Sequence, residues 1–471
     1  MMWIALLAAA TCLPCHEEFV RSYAKTGMGR SITRPTAEVQ LRQEGAHGSA
    51  RWVAAWTGKQ IAHAVNDEVR TMDWAVGSGR AGKSFLFRLG DALFQSPLSW
   101  YANRRAWDLS PGFQRDRRLS FLRPVTADCL SCHAGESTPV AGTQNRYEED
   151  PLPAPGITCE RCHGDARAHT QDPLRANIVN PRRLAAVERD SVCEQCHLGG
   201  TARVLNPGKR WSDFRPGAAL ETVFSVYVPR LPADPNRIKV VSHSEQLALS
   251  RCKIASGDRL WCATCHDPHR EPENAFAAQQ THCQSCHQST RPHGEACTTC
   301  HMPRTESSDG GHTAFTDHRI RRPGAPKVLL ERPDELRPWR PLPDAAQRSR
   351  GLGLAYAGAG RLERAYELLR ALPTPDAAVL DALGLIYLRA DRPATAVAAF
   401  AAAVQADPKN SVRRLNLAAA YLGAGEPAKA RAEALEAIAL EPLLEDAYAL
   451  LAEIEPRRAE YWRAEFNKRL R

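Results

Sequence analysis

The chain contains no uninterrupted run of about 18 apolar residues, so no transmembrane helix is expected. No histidine follows His318 and no cysteine follows Cys300. Thiol and imidazole chemistry is therefore confined to the first two thirds, and the last third is built differently. Cysteine is also missing between Gly29 and Asp128. Lysine and arginine are missing ahead of the apolar stretch at the start. The rest of the composition is that of an ordinary soluble protein, with 43% hydrophobic and 24% charged residues. A length of 471 residues allows about two or three domains.

What the chain does have is fifteen cysteines in a strict pattern. Fourteen form seven CxxC pairs, and His follows every pair at once. The motifs are Cys12-Cys15-His16, Cys129-Cys132-His133, Cys159-Cys162-His163 and Cys193-Cys196-His197, then Cys262-Cys265-His266, Cys283-Cys286-His287 and Cys297-Cys300-His301. CxxCH is the attachment motif of c-type haem. Two thiols add to the haem vinyl groups, and the adjacent His reaches the iron as proximal ligand. Zinc ribbons need two pairs per ion and place no demand on the next residue. Thioredoxin-like motifs occur singly, and a disulfide framework would not specify His after every pair. Seven covalently attached haems are the expectation.

Covalent haem attachment happens outside the cytoplasm, so the protein is expected to be exported, to the periplasm in a bacterium. Residues 1–10 read as a signal peptide ending in Ala-x-Ala, or as the remainder of a longer leader whose start codon lies upstream. Haem also revises the charge argument. Formal net charge is +9, but seven haems bring about −14 in propionates and about +7 in ferric cores. The basic balance then gives no reason to expect nucleic acid.

Nine histidines lie outside the motifs. Neutral imidazole suits iron, and the supply matches mostly bis-His, six-coordinate haems that favour electron transfer. His169 closes CERCHGDARAH, His269 closes CATCHDPH, and His293 precedes Cys297 in HGEACTTCHMP. His243 opens SHSEQLALSRC, and His312 and His318 frame GGHTAFTDHRI. These six are distal-ligand candidates. His47 and His63, in an apolar strand-like region, are candidates too, as is Met28. His282 directly precedes Cys283 and reads equally as a propionate or backbone contact.

The chain resembles the periplasmic multihaem cytochromes related to those of hydroxylamine oxidation and nitrite reduction, in the branch with a tetratricopeptide tail. The resemblance rests on GITCERCHGDARAHT, CATCHDPH, ACTTCHMP, HTAFTDHRI and GSGRAGKSFLFRLGDALFQSPLSWY with WDLSPGF after it. It covers nearly everything after residue 11, and it implies distal roles for such histidines. There are two departures. No CxxCK is present, so the lysine-ligated catalytic haem of the nitrite reductases is not encoded. Relatives often carry His after the Ser that follows the first motif, where RSYAKTGMG has Tyr23.

The cysteine-free stretch at about 30–125 reads as β-rich, with alternating segments and turn glycines at Gly58 and Gly90-Asp91. Trp52, Trp56, Trp74, Trp100 and Trp107 lie there. It is either a cap over one haem, with His47 or His63 as ligand, or a small sheet with an ordinary aromatic core. Short helices and loops are expected around the motifs. Cys252 belongs to no pair; it is a buried inert thiol or, activated by Lys253, a thiolate near a haem.

Residues 345–455, within a repeat domain over 344–471, show a period near 34. Leu383, Gly384, Tyr387, Ala396, Phe400, Ala403 and Pro408 recur as Leu417, Ala418, Tyr421, Ala430, Ala434, Ala437 and Pro442. A shortened earlier copy has Leu352, Gly353, Tyr356 and Ala365. This is a tetratricopeptide pattern, and such a stack either binds a protein partner or buttresses the neighbouring domain. Residues 321–343, rich in Pro and Arg, read as a linker.

The expected fold is mixed. A cytochrome domain over 11–320, carrying the β-rich insertion, precedes an all-α repeat solenoid. The expected function is electron carriage by a heptahaem cytochrome that docks a redox partner through the repeat. The alternative is a multihaem reductase of small nitrogen or sulfur oxyanions with one open haem position. That position would be at the first motif, near Tyr23 and Met28, or at the fifth, near Cys252 and Lys253.

Overall fold

A computed structural model describes residues 11–36, 42–116, 118–230, 238–272, 275–287, 297–322 and 335–470. The leader, His293 and residues 323–334 of the linker lie outside the described residues.

The β-rich region forms two antiparallel sheets. The strands are β1 (Ile32–Thr33), β2 (Gln43–His47), β3 (Ala50–Trp56), β4 (Ile61–Val65) and β5 (Glu68–Thr71). They continue as β6 (Trp74–Val76), β7 (Gly82–Leu89), β8 (Ala92–Tyr101), β9 (Ala106–Leu109) and β10 (Arg123–Pro124). One sheet is the meander β2-β3-β4-β5, and the other runs β1-β6-β7-β8-β10 with β9 also paired to β8. In β4 the two-residue period places Ile61, His63 and Val65 inward. Leu89 pairs with Ala92, which leaves Gly90 and Asp91 as the turn, with Gly90 at φ +61°. A two-residue hairpin needs that positive φ, and glycine adopts it without strain. Between the sheets, Trp52, Ile61, Phe85, Phe87, Phe94, Leu98, Trp107 and Phe121 form one core. Each fully buried large apolar side chain there contributes on the order of 2–3 kcal/mol.

The CxxCH motifs sit on short helices. These are α1 (Leu13–Tyr23), α2 (Ala127–His133), α3 (Glu160–His163), α4 (Arg167–Gln171) and α5 (Ala186–His197). Then come α6 (His243–Ala248), α7 (Arg251–Ser256), α8 (Cys262–Cys265), α9 (Ala275–Cys286) and α10 (Cys297–His301). A common device repeats. The amide of the motif histidine donates to the carbonyl of the first cysteine, at 2.9 Å for His16, 2.8 Å for His163, and 3.0 Å for His266 and His287. One helical turn thus carries both thiols and the imidazole on one face, because residues three and four apart are neighbours on a helix.

Strands β11 (Ala202–Leu205), β12 (Phe224–Pro229) and β15 (Leu336–Pro338) make a small sheet in the order β11-β12-β15. Strands β13 (Arg304–Glu306) and β14 (Ala314–Thr316) make a hairpin after the seventh motif. The end of the Pro- and Arg-rich stretch is therefore a sheet strand rather than free linker.

The C-terminal region is four helix pairs. They are α11 (Ala345–Gly358) with α12 (Leu362–Leu369), α13 (Ala377–Arg389) with α14 (Pro393–Ala406), α15 (Ser411–Gly423) with α16 (Pro427–Leu440), and α17 (Glu445–Ile454) with α18 (Ala459–Arg469). Close approach inside a pair needs a small residue. A Cβ at Gly384 would lie 2.6 Å from the Phe400 ring, and one at Gly353 would lie 2.4 Å from Leu369. Ala396, Ala430 and Ala434 are fully buried.

This stack packs on the rest of the chain from end to end. The Gly351 backbone lies against the Tyr227 ring, and Arg350 donates to Leu205 O at 2.8 Å. Buried Glu441 accepts from the amides of Gln144 and Asn145 and from the Ser411 hydroxyl. Arg70 donates to Leu470 O at 2.9 Å.

Candidate functional site

The seven motifs form a contiguous array. The Cys12 thiol lies beside Cys159, Cys132 beside Cys196, and Cys193 beside Cys262. These contacts join the first motif to the third, the second to the fourth, and the fourth to the fifth. Cys162 bears electrostatically on Cys193, Cys283 and Cys286 on Cys265, and Cys297 on Cys283. The spatial order is therefore first, third, fourth, fifth, sixth, seventh, with the second beside both the third and the fourth. In the facing thiol pairs, the neighbouring Cys196 thiol draws Cys132 down to about 4, and Arg203 assists. The Cys159 contact draws Cys12 down to about 7.

Histidines meet across motifs. His16 faces His169 with ring centroids 6.3 Å apart and planes within 12°. His163 faces His269 at 5.9 Å and 21°. His266 faces His318 at 6.1 Å and 33°. Two imidazoles sharing one metal through Nε2 have centroids about 6.3 Å apart, given metal–nitrogen bonds of about 2.0 Å. His197 meets His243 at 5.1 Å and 89°, and His243 meets His318 at 5.0 Å.

Hydrogen bonds fix which nitrogen is free. Nδ1 donates to Val179 O from His163 at 2.8 Å, to Leu174 O from His169 at 3.1 Å, and to Thr316 O from His318 at 2.9 Å. His301 Nδ1 donates likewise to Arg321 O at 2.9 Å. Carbonyl oxygens only accept, so the proton is on Nδ1 and Nε2 keeps its lone pair. This is the arrangement of metal-ligating histidine. Burial lowers the pKa of His133, His163, His197, His266 and His318, and it takes His243 down to about 3. All are neutral near pH 7, the form that binds a metal.

The surroundings fit a porphyrin. The His133 and His197 side chains are solvent-accessible although the surrounding protein desolvates them. Arg161 Nε, Arg189 Nη2 and Arg203 Nε are buried without a partner. They lie at or beside the second to fifth motifs, where propionates would satisfy them. Phe19, Leu174, Leu249 and Ile254 are bare apolar side chains between 45% and 63% exposed, on the motif-bearing segments. Such surface calls for an apolar cover. All fifteen cysteines are free. Among the described residues no group of three or more His, Cys, Asp or Glu side chains converges as a self-contained metal centre.

Other expected ligands stand elsewhere. His47 Nε2 binds Asp116 O at 2.9 Å, and His312 Nε2 binds Asp108 Oδ2 at 2.8 Å. His63 is fully buried in the sheet core against Phe85 and Trp107, with Nδ1 on Ser96 Oγ at 2.6 Å. That core has the ordinary aromatic packing, with no motif histidine against any of these three rings. Met28 offers its carbonyl to the Ile157 amide, and the place opposite His16 is taken by His169. Tyr23 donates to Ile157 O at 2.9 Å; burial and the cysteines of the third and fourth motifs raise its pKa. Lys253 donates to Leu260 O and lies 3.7 Å from Asp190, in a cavity of about 290 Å³ that also touches Trp261 and Cys262. Cys252 is half-buried, and burial raises its pKa, the opposite of an activated thiolate. His282 is exposed just before Cys283.

Sequence reasoning passed over Arg161, Arg189, Arg203 and Glu194. Arg161 and Glu194 were open to notice, since each sits between the cysteines of a motif.

No protein-family model matches the chain, and no curated protein matches it. Among solved structures it is similar to MamA, at 22% identity and a TM-score of 0.25, covering 27% of this chain and 78% of that one. It is also similar to the first TPR of Spaghetti (RPAP3) bound to an HSP90 peptide, at 18% identity and a TM-score of 0.23, covering 24% of this chain and 93% of that one. TM-scores of this size carry no argument, and the helical repeat rests on its own four helix pairs.

Proposed function

We propose that the chain is an exported heptahaem c-type cytochrome that carries electrons and docks a protein partner through its helical repeat. The observation that carries the reading is the set of facing histidines at the spacing of two ligands on one iron. Haem c at the seven motifs would supply reversible one-electron iron chemistry. The chain's own residues do the rest. Cys pairs would hold each haem, and the motif histidines with His169, His243, His269 and His318 would offer it imidazole nitrogen. Backbone carbonyls hold the imidazoles in the ligating tautomer, and arginines meet the propionates. The contiguity of the motifs suits a carrier. Ferric-state spectroscopy of the holoprotein tests it: mostly low-spin haem is expected, and a wholly high-spin spectrum would overturn it.

One observation favours a second reading, a reductase of small nitrogen or sulfur oxyanions. Among the described residues no imidazole ring lies against His133 or His301. The open position would then be at the second or the seventh motif, since His169 and His318 stand opposite the first and fifth. Nitrite, hydroxylamine or sulfite added to the ferric protein should then shift a high-spin fraction. Spectra indifferent to all three would sink the enzyme.

A further inference from the structure

The fourth motif is one of two junctions in the array: it meets the second, third and fifth, as the third meets the first, second and fourth. Its sequence is Cys193-Glu194-Gln195-Cys196-His197, so a carboxylate sits between its two thiols. Glu194 is buried, with 7% of its side chain exposed. Trp339 Nε1 donates to Glu194 Oε1 at 3.0 Å, and the Arg340 guanidinium binds Glu194 Oε2. Arg340 also binds Glu221 Oε1 at 3.0 Å. The Trp339 amide donates to Val226 O at 2.8 Å, which fixes this segment beside the motif. Trp339 and Arg340 directly precede the first repeat helix. The segment leading into the repeat therefore delivers one cation to the only charged residue between the cysteines of the fourth motif.

We infer that Arg340, acting through Glu194, sets the redox potential at the fourth motif and ties it to the segment leading into the repeat. This inference rests on haem c occupying that motif. Adding one electron to a ferric iron removes one unit of positive charge. A carboxylate beside it therefore favours the oxidised form, and a guanidinium on that carboxylate counters it. Low dielectric makes both effects larger than in water.

The test is a spectroelectrochemical titration of the full haem-loaded chain and three variants. Glu194→Gln should raise one of the component potentials, lowering the oxidised-to-reduced ratio about tenfold at fixed potential, or ~59 mV for one electron. Arg340→Gln should lower that same component. The double variant should return close to the starting value, because it removes both charges. Arg337→Gln, which removes an exposed cation on the same segment, should move nothing. Components unchanged in both single variants, with haem content intact, would overturn this inference alone. A purified chain without covalent haem would overturn the parent reading and this one with it.

Discussion

His169, His243, His269 and His318 lie outside every CxxCH motif, yet each meets a histidine inside one. The first comes from just after the third motif and the third from just after the fifth, so ligation would brace one motif with the segment that follows another. Replacing His169 by Ala should therefore open one iron. A new high-spin ferric signal amounting to about one haem in seven is expected in the electron paramagnetic resonance spectrum. His312→Ala should leave spin states unchanged, because its Nε2 is on Asp108. A silent His169→Ala would contradict the pairing. The local contexts of His169 and His312 look equally purposeful in sequence. What separates them is Asp108, more than two hundred positions away, and no local reading could supply that contact. Met28 and Tyr23 misled for a similar reason: the group opposite His16 arrives from the third motif, not from the residues that follow the first.

At the level of elements, the CxxCH turn, the sheets and the repeat were legible because each has a short period. Alternation marked β4, a positive-φ glycine marked the β7–β8 turn, and a 34-residue spacing marked the helix pairs. The three-residue strand β15 was not legible, since its pairing with β12 reaches across more than a hundred residues and its sequence is Pro-rich. The repeat's small residues allow a direct check. Gly384→Val should press two methyl groups toward the Phe400 ring and cost about 1–3 kcal/mol, since overpacking forces shifts in a close-packed core. The urea midpoint would read it. A midpoint equal to the parent's would mean that α13 and α14 are not held as close as described.

For the whole molecule, the question left by the sequence was whether the repeat binds a partner or supports its neighbour. Its edge supports the neighbour, through Tyr227, Leu205, Gly142, whose carbonyl accepts from the Ser411 amide at 2.9 Å, and above all Glu441. Removing that carboxylate leaves the buried amides of Gln144 and Asn145 unpaired, at about 1–3 kcal/mol for each. Glu441→Ala should split one calorimetric transition into two, with the repeat melting separately. A single unshifted transition would show that the interface does not depend on this contact. The surface away from that edge is what the stack has left to offer a partner. The order of the motifs in space was beyond the sequence, because it depends on which distant turns the fold presses together.

The central claim is that seven CxxCH turns hold seven haems. Intact-mass spectrometry of the purified mature protein, made in a host with c-type maturation machinery, tests it most directly. The account predicts a gain of about seven haem masses over the polypeptide, surviving denaturation because the bonds are covalent. A polypeptide that carries disulfides or zinc and no haem would contradict it.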